Sequence, residues 1–316
     1  MELDRMRIKE GLQSGLRKGL NGFLWIMKIL LPVSLFTALL AWTGWLGRLD
    51  FLLQPMMSIL SLPAMATLPL LIGMLTGIYG GIAAMSVLPF SQDQMTLMAI
   101  FLLIAHNLIQ EGMIQAKSGI HPFKATAFRL VAATLTVIAV APFFNITTVV
   151  SESTVYSPET SQPIMGALQE WGVTTFNLSI RIFVIIMCIL TLLEILKTFH
   201  LISPMVRALS PLLKIMGLKQ KMGFLWLTAV IFGVAYGGAV IVEEVKAGHL
   251  TKAELEELHL SIGINHALVE DPSLFLSLGL SPFWLWVPRV IVAIMAERLL
   301  TLWRLLGRGN NLSTQT

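Results

Sequence analysis

His106 and Glu111 lie five residues apart in the run Ala105-His106-Asn107-Leu108-Ile109-Gln110-Glu111, and Asn265-His266-Ala267-Leu268-Val269-Glu270-Asp271 repeats the arrangement 160 residues later. A histidine beside a carboxylate exchanges a proton near neutral pH, and the same groups can hold a cation or a polar solute. On a helix, His106 and Gln110 share one face, Asn107 and Glu111 the adjacent one, and His266 and Glu270 share a face in the second copy. Both runs are embedded in apolar sequence, where unpaired polar groups are costly, so they read as a substrate or ion pathway. Helix-packing hydrogen bonds between the two copies are the plainer alternative. A metal site is not expected, because the ligands are not compact along the chain and both copies would have to converge.

The duplication extends beyond these runs. Tyr79-Gly80-Gly81 recurs as Tyr236-Gly237-Gly238, and Gly119, Pro122, Phe123 and Arg129 recur as Gly279, Pro282, Phe283 and Arg289. The glycines weaken a helix and permit a reversal, so each Tyr-Gly-Gly reads as the tip of a hairpin, with its tyrosine either stacking on an aromatic ligand or packing the tip. Glu243 follows the second tip and has Ser86 as its counterpart. It is either a cation or substrate anchor or the partner of Lys246. A duplicated membrane sequence is the usual mark of a transporter whose site lies between its repeats.

Composition supplies the solvent. The chain is 55% hydrophobic and 13% charged, too apolar for a soluble domain of this length to cover itself with polar groups. Cys188 is the single cysteine, which excludes a disulfide framework or a thiolate metal site. The net charge of +4 comes from basic residues near span ends and argues topology, not nucleic-acid binding. Arg5, Arg7, Lys9, Arg17 and Lys18 suit an amphipathic segment over residues 1–22 lying on an anionic inner leaflet. No nucleotide-binding loop, zinc-protease motif or nucleophile elbow is present, so the chain is not expected to be an enzyme or to need a cofactor.

Charge also arbitrates the topology. If 63–90 and 222–246 crossed the membrane, Lys117 and Lys124 would fall outside and the acidic loop 146–175 inside, against the positive-inside rule. Letting both segments enter and leave on one side gives spans at 23–46, 95–115, 124–145, 176–198, 257–278 and 283–304. Nearly every Lys and Arg between Lys117 and Arg308 then falls inside. Three crossings per half invert the second half relative to the first, with Arg129 near the inner face and Arg289 near the outer one, both snorkelling to headgroups. Hairpin backbone at that depth must line a polar cavity, because lipid cannot satisfy it.

The paired Tyr-Gly-Gly segments, each followed by a His/acid span and then by Pro-Phe and an arginine, resemble the nucleoside-recognition or Gate domain. That domain occurs in concentrative nucleoside transporters, spore-maturation membrane proteins, a spore dipicolinate transporter and the membrane part of ferrous-iron-transport GTPases. The resemblance covers 63–145 and 222–304. It implies inverted repeats with re-entrant hairpins, and transport of small solutes.

The expectation is thus an all-α polytopic membrane protein with two inverted repeats, each having about three spanning helices and one re-entrant helical hairpin. Residues 1–22 precede a first repeat (23–145), an extracytoplasmic loop (146–175), a second repeat (176–305) and a cytoplasmic tail (306–316). The expected activity is secondary transport of a small polar or anionic solute, nucleoside-like among the options, in the bacterial inner membrane with both termini cytoplasmic and with Na⁺ or H⁺ coupling. A non-transporting scaffold or regulatory partner of an envelope process stays open as a second class, as does homo-oligomerisation. Lys117→Cys and Val150→Cys test the topology: a membrane-impermeant thiol reagent reaches the two from opposite faces, and labelling of both from one face overturns the scheme.

Overall fold

The computed structural model describes residues 2–45, 50–145, 163–199, 201–208, 210–216, 218–219 and 222–312. Every regular element among them is helical: α1 (Glu2–Trp42), α2 (Asp50–Ser58), α3 (Thr67–Thr76), α4 (Ile78–Met85), α5 (Gln92–Ala105), α6 (Leu108–Lys117), α7 (Pro122–Val140), α8 (Ile164–Thr198), α9 (Ile202–Ala208), α10 (Ser210–Met216), α11 (Gly223–Lys246), α12 (Lys252–Asn265), α13 (Glu270–Phe275) and α14 (Pro282–Leu312). Four helical segments among the described residues are long and apolar enough to cross a membrane: Ile8–Trp42, Gln92–Lys117, Pro122–Phe143 and Ile164–Thr198. The expected spans at 257–278 and 283–304 coincide with α12–α13 and α14, which carry more charge.

Three expected boundaries move. Residues 1–22 do not form a separate surface segment, since α1 runs unbroken from Glu2. Its polar first half instead continues the helix and packs on a neighbour. The loop at 146–175 is shorter than expected, because α8 is helical from Ile164; residues 146–162 lie outside the described ones. The last helix does not stop at 305 but continues to Leu312.

A ridge of glycines explains how α1 docks. Gly11, Gly15, Gly19 and Gly22 recur every three or four residues and so line one face of α1. A Cβ on Gly15 would lie 2.5 Å from Thr191 Cα, and one on Gly11 would lie 3.1 Å from Thr198 Oγ1. Farther along, Phe23 meets Phe183 edge-on at 5.1 Å, and the Trp171 indole donates to Ser34 Oγ at 3.1 Å. Rising numbers on α1 meet falling numbers on α8, so the two helices pack antiparallel, backbone to backbone, as small-residue faces allow in lipid. Glu194 completes the seam by binding Lys18 at 2.7 Å, Ser14 at 3.0 Å and Lys197 at 3.3 Å.

The centre is built from α5 and α12. Both are 14 residues long and begin with a capping box, Ser91 with Gln94 and Thr251 with Glu254. From Thr96 to Ala105 every residue of α5 is buried, which fits a helix that is apolar on all sides. The two run in opposite directions. Gln92 at the start of α5 donates to Leu278 O beyond α13, while Lys124, beyond α6, pairs with Glu256 at the start of α12. Lys219 pairs with the buried capping Glu254, whose carboxylate holds the ammonium above its usual range.

The helical hairpin of the first half turns at Gly77, with φ 96° and ψ 179°, and not at Tyr79-Gly80-Gly81. Gly80 and Gly81 belong to α4 and have ordinary helical angles; their service is contact. A Cβ on Gly81 would lie 2.5 Å from Leu102 Cδ1 and 3.5 Å from Gly73 Cα, which shows α4 folded back along α3. In the second half, Gly233 interrupts α11 with φ 77° and ψ 173°. Tyr236, Gly237 and Gly238 lie in α11 beyond that break, and their side chains fall outside the described ones.

Gly15→Ala should therefore push α1 off α8 and cost about 1–3 kcal/mol as an overpacked contact, read as a lower melting temperature in detergent. Gly172→Ala on α8, where no neighbouring heavy atom lies within 4 Å of the new Cβ, should be neutral or stabilising by helix propensity.

Candidate functional site

Two helix breaks create the site. Chain α5–α6 is interrupted at His106-Asn107, and α12–α13 at His266-Ala267. His106 and His266 are the extended C-caps, with ψ 165° and 156°. The next residues, Asn107 and Ala267, are left-handed, with φ 48° and 46°. Asparagine tolerates that region; alanine pays about 1 kcal/mol or more for it.

Each break strands backbone groups in an apolar interior, and each finds the same two solutions. The freed N–H groups turn to the neighbouring interrupted helix: Asn107 N donates to Gly73 O at 3.1 Å, Ala267 N to Ala229 O at 3.1 Å and Leu268 N to Val230 O at 2.7 Å. The freed carbonyls are taken by arginine. Arg129 donates Nε to Ile104 O and Nη2 to His106 O, both at 2.8 Å. Arg289 does the same to Ile264 O and His266 O. Both arginines are 1% exposed, so neither snorkels, and they do not sit at opposite faces as the sequence suggested. A guanidinium fork at a helix C-terminus satisfies two carbonyls and meets the negative end of the dipole, which is why these apolar helices hold a buried cation.

The breaks bring the two histidines together, their rings 4.8 Å apart. Nδ1 of His106 lies 2.8 Å from Leu102 O, and Nδ1 of His266 lies 2.9 Å from Ile262 O. A carbonyl only accepts, so each Nδ1 carries the hydrogen, and a ring without a second proton presents its Nε2 lone pair. Those two Nε2 atoms face each other at 3.2 Å. Glu111 Oε1 is 3.2 Å from both, and Asp271 Oδ2 is 3.4 Å from His106 Nε2. The two Nε2 atoms and an Asp271 oxygen thus lie close together, with Glu111 Oε1 against both histidines. Such a cluster is stable only with positive charge inside it, as a proton or a metal cation.

The rest of the site is asymmetric. Glu111 reaches Arg129 Nη1 with Oε2 at 2.7 Å. Its counterpart Asp271 is one carbon shorter, and Arg289 Nη1 and Asp271 Oδ2 have no hydrogen-bond partner among the described residues. Tyr79 donates its hydroxyl to Glu270 at 2.7 Å, tying the first hairpin to the second break, and stacks edge-on with Trp25 at 5.5 Å. Asn107 donates to Gln110 at 3.0 Å. Asn265 is 1% exposed, and its Oδ1 has no hydrogen-bond partner among the described residues.

The structure therefore gathers His106, His266, Glu111 and Asp271, with Tyr79 and Glu270 beside them. Gly80 and Gly81 serve helix packing. Glu243 lies elsewhere: its side chain is 72% exposed and pairs with Lys246 at 2.8 Å. The arginines were legible as a repeated pair, yet nothing in their spacing announced that they cap broken helices. Gly77 was hidden in the same motif, two residues ahead of the tyrosine. His259 was not singled out; it is buried, and neither ring nitrogen has a hydrogen-bond partner among the described residues. It faces a narrow cleft with Gln115, Lys124, Phe128 and Glu256.

The uncharacterized membrane protein YvoD of Bacillus subtilis (strain 168) is 26% identical to the chain over 292 residues, which is 92% of either sequence. No family model matches the chain, so the Gate resemblance rests on the residues that carry it, and no solved structure matches. The chain is a helical, multi-pass membrane protein.

Arg129→Met should leave two carbonyls and Glu111 unpaired in the interior and cost about 3–5 kcal/mol in unfolding measurements. Arg129→Lys should recover only part of that loss, because one ammonium cannot span both carbonyls and the carboxylate.

Proposed function

We propose that this chain is a secondary transporter, a permease that moves a small polar or anionic solute across the membrane by alternating access between two inverted repeats. The observation that carries the reading is the acceptor cluster at the meeting point of two broken helices. Interrupted helices meeting in the interior are the form in which transporters present backbone and side-chain ligands to ions and solutes. Support for inversion comes from pairs of equivalent helices running antiparallel: α1 against α8, and α5 against α12. An in-plane two-fold axis would relate them in that way.

Each part has a task in this reading. His106 and His266 share the charge that the converging lone pairs require. Of the coupling ions the sequence leaves open, H⁺ fits better than Na⁺, since imidazole nitrogen is a poor ligand for a hard monovalent cation. Arg289 Nη1, a buried donor without a hydrogen-bond partner among the described residues, is available to an anionic group. The Tyr79–Glu270 bond links the first hairpin to the second break, so rocking one repeat against the other would break and remake it. The inner membrane, the cytoplasmic termini and the Gate relationship belong to the same proposal.

Uptake into proteoliposomes under an imposed pH gradient, with nucleosides, purine bases and dicarboxylates as candidates, tests it. Saturable, uncoupler-sensitive accumulation is expected, and His106→Gln or His266→Gln should abolish accumulation while the protein stays folded. Flux indifferent to the gradient would remove the coupling, and absence of flux for every candidate would count against transport.

A further inference from the structure

We infer that His106, His266 and Asp271 form a binding site for a divalent transition-metal ion, with Glu111 beside both histidines. The inference uses the same cluster as the transport reading but does not depend on transport.

The argument begins with donor type. Two imidazole Nε2 atoms and one carboxylate oxygen make an N₂O set with a fourth position open, mixed donors that suit zinc and its neighbours in the first transition row. Hard cations such as Mg²⁺ and Ca²⁺ prefer an all-oxygen shell. The ligating atoms of His106, His266 and Asp271 lie within 4.8 Å of one another.

Spacing is the second point. A tetrahedral shell with bonds of about 2.0–2.1 Å has edges of about 3.3–3.4 Å between neighbouring ligand atoms. The observed separations are 3.2 Å between the two Nε2 atoms, 3.2 Å from Glu111 Oε1 to each, and 3.4 Å from Asp271 Oδ2 to His106. The His106–His266 and His106–Asp271 edges thus have metal-shell lengths, and Glu111 Oε1 approaches both histidines as closely.

The surroundings match as well. Metal-bound histidines almost always donate their other ring nitrogen to a carbonyl or carboxylate, which fixes tautomer and orientation. Both rings do so here, to Leu102 O and Ile262 O. Glu111 has its second oxygen anchored by Arg129 at 2.7 Å. Both arginines are also held by backbone carbonyls at helix ends, so the carboxylates are not needed solely as their counter-charges. The sequence argued against a metal because ligands from both repeats would have to converge, and the fold makes them converge.

Co²⁺ titration of the purified full chain in detergent is the test, because tetrahedral Co²⁺ has a visible absorption that loosely bound ion in water lacks. One Co²⁺ per chain is expected, displaceable by Zn²⁺ and weakening as pH falls, since protons compete for the Nε2 lone pairs. His106→Gln and Asp271→Asn should each weaken binding by about tenfold or more. His259→Gln, which removes a buried histidine outside the cluster, should leave it unchanged. Should His106→Gln fail to fold, Asp271→Asn, which swaps one oxygen for an amide nitrogen, carries the comparison. No saturable band with folded wild-type protein would overturn the site and leave the cluster to protons. A band that survives Asp271→Asn would assign the metal to surface histidines and overturn it equally. Metal binding without solute flux would retain the site and count against the permease.

Discussion

Backbone hydrogen bonding in an apolar interior is the constraint on which the rest depends. A helix can stop inside a membrane protein only if its last carbonyls and the next N–H groups find partners other than water. Here the carbonyls go to two arginine forks and the N–H groups to neighbouring interrupted helices. The breaks at His106 and His266, the left-handed residues after them, the interruptions at Gly77 and Gly233 and the buried arginines are thus parts of one solution used twice. Removing any part strands groups that the others were placed to satisfy.

Once the breaks exist, the chemistry follows from geometry. A helix C-cap points its side chain away from the helical ladder, and two such caps arriving from opposite directions bring two histidines face to face. The carbonyls of the preceding turn hold the Nδ1 hydrogens and turn both Nε2 atoms toward the gap between the rings. Glu111, one turn into α6, and Asp271, the second residue of α13, flank the two histidines. The difference of one methylene between them breaks the symmetry, giving Arg129 a carboxylate partner while Arg289 has no direct one among the described residues.

The periphery obeys a simpler rule. In lipid, apolar side chains gain little by leaving a solvent as apolar as themselves, so helices join through close backbone approach and polar links. The glycine ridge of α1 supplies the first, and the Ser14 and Lys18 contacts to Glu194 supply the second. That seam also explains why the basic first residues are not a separate surface helix: the ridge begins at Gly11, inside the stretch whose charges suggested one.

The sequence by itself determined the solvent, the helical class, the duplication and the residues of the centre. Each of these is written in composition or in a repeat that survives without coordinates. His106, Glu111, His266 and Asp271 stood out because polar groups in apolar runs are costly. Only the tertiary structure decided that they meet, because contact across 160 residues depends on where two helices break and which way they run. The turn belonged to Gly77 and not to Tyr79-Gly80-Gly81, since a glycine that permits reversal and one that permits close packing look alike in a sequence and differ in φ alone. The arginines show the same limit: a cation in a span reads as a residue reaching for headgroups until the carbonyls it serves are in view.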